Sequence, residues 1–85
     1  MKKDSKLIVT RIQTGVRMEK RMIKVLKGLA EYLDLSLGDL LEGIVLHSFE
    51  GKSPFSEITL NKINDLKKIY ELDYDSTASH KLKEE

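Results

Sequence analysis

The side chains with most capacity for chemistry lie at the front of this chain. Residues 1–27 hold nine Lys or Arg (Lys2, Lys3, Lys6, Arg11, Arg17, Lys20, Arg21, Lys24, Lys27) against Asp4 and Glu19, a net of +7. The whole chain is +1, so the remainder carries −6. A basic front and an acidic back suggest that the front faces a polyanion. A solvated lysine-rich helix face is the competing explanation. It is weakened because the charge surrounds the one stretch with strand character, where Arg11 and Gln13 stand two residues apart and share a side.

Other chemistry has little support in the residues. There is no cysteine, which excludes disulfides and thiolate metal sites. His47 and His80 are far apart, and neither has a neighbour at metal-ligand spacing. His47 fits a packing or hydrogen-bonding role better than a ligand role. Glu42, Glu50, Asp73 and Asp75 read as solvated or helix-end charges. Catalytic carboxylates need buried, convergent pairs, and a chain this small offers little pocket. No glycine-rich phosphate loop is present. The expectation is a non-enzyme with no cofactor and no metal. No apolar run has the length of a membrane span, and the first six residues, MKKDSK, lack a signal peptide's apolar core. The expected location is the cytoplasm, on the nucleoid.

The elements that must position Arg11 begin with residues 6–13, KLIVTRIQ. This stretch is rich in Leu, Ile, Val and Thr, ends at Thr14-Gly15, and is the only segment that reads as a β-strand. A strand needs partners for its N–H and C=O groups, and the chain offers no second strand. The same strand of a second copy, antiparallel across a two-fold axis, satisfies both. Alternation puts Ile8, Thr10 and Ile12 on one face and Leu7, Val9, Arg11 and Gln13 on the other. The uncharged face is assigned to the core and the Arg11 face to the outside. A two-stranded ribbon of this kind fits the DNA major groove. An ordinary half-buried dimer strand with an incidental arginine fits the segment equally well.

Three helices follow. The first runs from about 16–19 to 33, with Met22, Leu26, Leu29, Ala30 and Leu33 at helical spacing. Gly28 interrupts it, at about 1 kcal/mol relative to Ala, which close approach of a neighbouring helix would offset. Ser36 then caps a second helix over about 37–49 with Asp39 in the third position. Its buried stripe is predicted as Leu37, Leu40, Leu41, Ile44, Val45, Ser48 and Phe49, with Gly43 a candidate close-crossing site and Gly51 the stop. After a linker at 52–55, a third helix covers about 57–72 with an apolar stripe at Leu60, Ile63, Leu66, Ile69 and Tyr70. The organisation is thus a flexible basic arm (1–5), a strand-helix-helix domain (6–51), and a linker, helix and weakly ordered tail (52–85). At 85 residues one domain is the limit, and a monomer's core is modest.

A basic N-terminal strand, Leu29-Ala30 before a turn, and Leu35-Ser36 before a helix rich in Leu, Ile and Val together resemble the ribbon-helix-helix (Arc/MetJ repressor-like) family of bacterial DNA-binding proteins. The resemblance covers about residues 6–50. It implies a mostly α fold with one N-terminal strand, in an intertwined homodimer joined by a two-stranded antiparallel intermolecular ribbon, here with an extra C-terminal helix. It implies sequence-specific binding of double-stranded DNA, with transcriptional repression as the function. Carried onto this chain, the base contacts are Val9 to a thymine methyl, Arg11 to guanine O6 and N7, and Gln13 to adenine. The phosphate contacts are the helix N-terminus at Ser36, Leu37 and Gly38. Lys2, Lys3 and Lys6 add phosphate contacts from the basic arm. The alternative is an antitoxin or protein-interaction module whose C-terminal helix, within 52–85, binds a protein partner.

Overall fold

The computed structural model describes residues 6–85. The chain leads with a segment that has no regular secondary structure and then forms α1 (Lys20–Tyr32), α2 (Leu37–Phe49) and α3 (Glu57–Ile69), followed by a short 3₁₀ turn at Ser76–Ala78. The proposed basic arm, with Lys2 and Lys3, lies outside the described residues.

Local chemistry sets the helix ends. The Glu19 carboxylate accepts from the Arg21 N–H at 3.1 Å, Ser36 Oγ from Asp39 N–H at 3.1 Å, and Ser56 Oγ from Thr59 N–H at 3.2 Å. Each cap satisfies one of the N–H groups that a helix start leaves unpaired. All three helices stop in the same way. The chain turns left-handed just past the helix end, and two N–H groups reach back to the last carbonyls. At α2 these are Gly51 to Ser48 (3.0 Å) and Lys52 to His47 (2.9 Å). Gly51 takes its φ of +69° without steric cost, whereas Asp34 after α1 and Glu71 after α3 adopt φ of 58° with a Cβ.

α1 is the central element, packed on both α2 and α3. Leu29, 1 % exposed, joins Ala30 and Leu40 in the core, ringed by Leu26, Leu33, Ile44, Phe55, Ile63 and Leu66. Val25 is buried as well. The approach of α3 is closest at Gly28, where an added Cβ would lie 2.9 Å from Leu66 Cδ2. The glycine removes the side chain that would hold α3 away. α3 therefore spends the Ile63, Leu66 and Tyr70 side of its stripe on the core.

The structure corrects the strand. Among the described residues the fold is all-helical: the N-terminal strand on which a ribbon-helix-helix ribbon would be built is absent. Residues 6–19 form no helix and no strand, and they carry no hydrogen-bond ladder. The physical reason is that β-propensity describes fit to a pleated, paired surface and supplies no pairing edge itself. Without an edge, the predicted core face has nothing to pack on, and Ile8 and Ile12 are 101 % and 84 % exposed. The α2 stripe is corrected also. Leu40 is buried and Leu37, Leu41 and Ile44 are half-buried, but Val45, Ser48 and Phe49 are exposed. α1 covers only the Leu40 and Ile44 side of α2. A Cβ added at Gly43 would meet nothing within 4 Å, so no helix crosses there. Leu60 and Ile69 of α3 likewise remain exposed. Among the described residues no helix is long and apolar enough to cross a membrane.

Candidate nucleic-acid interface

Two stretches distant in sequence meet in one open cleft of about 990 Å³. One wall is the leading segment from Thr10 to Thr14; the other is the start of α2, with Ser36, Leu37, Gly38, Asp39, Leu41 and Glu42. Of the sequence-predicted contacts, Arg11, Gln13, Ser36, Leu37 and Gly38 line this cleft together. Val9 and Lys6 lie on the exposed chain outside its lining.

The helix end contributes positive character. Asp39 N–H is satisfied by Ser36 Oγ and Leu40 N–H by the Ser36 carbonyl. The N–H groups of Leu37 and Gly38 have no acceptor among the described residues. Such groups at a helix start attract anions.

Arg11 is held by a residue that sequence reasoning left as a solvated charge. Its Nε donates to Glu42 Oε2 and its Nη2 to Glu42 Oε1, both at 2.8 Å. This is the two-pronged geometry of guanidinium and carboxylate. The hydrogen bond from Arg11 holds the Glu42 carboxyl below the usual carboxylate range, and the same bond, with the Glu42 charge, keeps the guanidinium more firmly protonated. The Arg11 side chain remains largely solvent-exposed and that of Glu42 about half-exposed. The cleft therefore presents mixed charge: one arginine and a helix N-terminus against Asp39 and Glu42. No local signal marked this pairing, because the partners are 31 residues apart.

A second network ties the C-terminal tail to the basic start of α1. Tyr74 Oη donates to Glu19 Oε1 at 2.5 Å. Arg21 Nε donates to Glu19 Oε2 at 3.3 Å, and Arg21 Nη1 reaches the Glu71 carbonyl (2.9 Å) and Asp73 (3.3 Å). The guanidinium also lies over the Tyr74 ring, 5.5 Å from its centre. The Tyr74 bond, followed by the Arg21 N–H bond, lowers the Glu19 pKa; partial desolvation, then Glu19, raises that of Tyr74. Lysines 20, 24 and 27 leave α1 toward solvent or across its edge, with Lys24 Nζ 5.8 Å from the Tyr70 ring centre.

His47 sits on the exposed side of α2, its Nδ1 2.7 Å from the Gly43 carbonyl. Among the described residues no three His, Asp or Glu side chains converge as a metal site would require. No family model, curated protein or solved structure matches this chain, so the family resemblance rests on the residue pattern alone.

Proposed function

We propose that this chain is a homodimeric, sequence-specific DNA-binding protein that acts as a transcriptional repressor. The observation that carries the reading is the segregation of charge around an exposed segment without helix or strand: +7 within residues 1–27, with residues 6–18 all exposed. A duplex is a dense line of phosphates, and a basic, sterically thin segment is suited to follow it. The convergence of Arg11 and Gln13 with the N-terminus of α2 adds an anion site beside two side chains that recognise base edges. In this reading Arg11, Gln13 and Val9 contact bases. Lys2, Lys3, Lys6 and the Ser36–Gly38 turn contact phosphates. No strand pairing is invoked: the exposed leading segment itself makes the contacts.

The second copy is supported by what the monomer leaves uncovered. Leu7, Ile8, Val9 and Ile12, and Val45, Leu46 and Phe49 of α2, are exposed apolar residues. Patches of this kind mark association surfaces.

Selection from a random duplex pool, with wild type and Arg11→Ala side by side, tests the function. The expected result is enrichment of a palindromic site by wild type and relaxed preference in the variant, with a loss of about 1–3 kcal/mol at that site. No enrichment by wild type would remove the sequence-specific reading. The protein-interaction alternative draws on Ile58 and Ile69, which face outward from α3.

A further inference from the structure

The chain contains three arginines, Arg11, Arg17 and Arg21, all within its basic front. Each is paired with a carboxylate. Arg11 meets Glu42 through two bonds, Arg17 meets Glu84 in the C-terminal tail, and Arg21 meets Glu19 and Asp73. The lysines behave differently: among the described residues Lys52 alone has a carboxylate partner, its near neighbour Glu50. The pairing thus selects the side chain that forks onto carboxylate, phosphate and guanine alike.

Arg21 belongs to the fold. It is only about one-third exposed and is held also by a backbone carbonyl and an aromatic face. Arg11 and Arg17 are different. Both pairs are open to water, with the Arg side chains 68 % and 83 % exposed. Neither pair anchors a core residue. Their acidic partners both come from the −6 remainder of the chain, one on α2 and one at the C-terminal end.

We propose that Glu42 and Glu84 act as an intramolecular stand-in for nucleic acid, holding Arg11 and Arg17 in the free protein so that DNA must displace them. The inference rests on the DNA-binding reading above. The Glu42 carboxylate presents two oxygens to Arg11, as guanine presents O6 and N7. Exposed ion pairs are weak, so a duplex that offers well-placed acceptors replaces them at small cost. A duplex of random sequence offers phosphates but rarely a guanine placed for Arg11, so it recovers phosphate contacts alone for the pairs it breaks. The two carboxylates therefore suppress non-specific binding while the lysines keep the attraction that draws DNA in.

The test uses the full-length chain and a labelled duplex of random sequence, read by fluorescence anisotropy at low and physiological salt. Wild type is compared with Glu42→Gln/Glu84→Gln and with a control of equal charge change, Glu31→Gln/Asp65→Asn, whose carboxylates contact no arginine. The expected result is that the first variant binds about 3- to 30-fold tighter than wild type, and the control less than about 2-fold tighter. In the absence of DNA, the Arg11 Nε–H resonance is expected to move on Glu42→Gln, which reads the pair directly. An equal gain in the control would show a bulk charge effect and overturn the proposal. So would wild-type binding with no gain in the first variant, or an unmoved Arg11 resonance; in these cases DNA binding itself stands. No binding by any of the three proteins at low salt would overturn both the proposal and the DNA-binding reading.

Discussion

At the scale of single residues, the bond between Tyr74 and Glu19 couples the tail to the protonation state of the protein. Glu19 titrates below its ordinary value because Tyr74 and the Arg21 N–H bond its ionised form. A carboxyl group depressed in the folded state stabilises the fold above its unfolded pKa. That contribution is lost as pH falls through the folded value. Tyr74 is shifted upward, first by desolvation and then by Glu19. Its contribution is present below its ordinary value and lost as pH rises through the higher folded one. Both are intact at neutral pH. Tyr74→Phe is expected to lower the Tm at pH 7 and to reduce the further loss of Tm between about pH 5 and pH 3. Thermal melts across that window check it; parallel curves for wild type and variant would show that the bond does not set the acid response.

At the scale of elements, α3 is a structural helix. Leu66 fills the space left by Gly28, and Phe55, Ile63 and Leu66 close the core around Leu29 and Leu40. A cation–π contact adds to this seam, with Lys62 Nζ 5.5 Å from the Tyr32 ring centre. Leu66→Ala is therefore expected to destabilise the protein by about 1–3 kcal/mol, below the range for fully buried leucines because Leu66 is only half-buried. Urea denaturation measures it. A change near zero would mean that α3 is detached in solution and available to a protein partner, as the alternative function requires. α2 shows the opposite balance. One side meets α1 through Leu40, while Leu46 and Phe49 on the other are 65 % and 81 % exposed.

At the scale of the whole molecule, the buried set is small. Val25, Leu29, Ala30 and Leu40 are the buried side chains among the described residues. Small chains bury a low fraction of their surface and are commonly completed by a second copy. The exposed side of α2 and the apolar residues of the leading segment are the surfaces with most to gain. Sedimentation should give wild type twice the chain mass of 9.8 kDa. Leu46→Lys/Phe49→Lys should sediment as the single chain and melt at a lower temperature, because association stabilises by mass action. A wild-type monomer, or a variant that remains dimeric, would place the association surface elsewhere or remove it.

Much of the helical framework was legible in the residues because it is made by interactions a few positions apart. Ser36 finds Asp39 N–H three residues on, Ser56 finds Thr59 N–H in the same way, and Gly51 supplies the left-handed turn beside its own helix. The segregation of basic and acidic halves is likewise a property of the sequence itself. Gly28 announced a close approach, but only the packed chain shows Leu66 as the neighbour. The rest depended on partners far along the chain. Residues 6–13 carry β-branched side chains, yet a strand exists only where an edge meets it, and here the segment stays unpaired and exposed. α2 has apolar residues around much of its circumference, so periodicity could not say which side α1 would cover. Arg11 looked like a free outward charge until folding brought Glu42 to it, and Tyr74 looked like part of a loose tail until folding set it 2.5 Å from Glu19. Short-range bonds are encoded where they occur; pairings across 31 and 55 residues depend on the direction in which the helices pack, and the tertiary structure alone decides that.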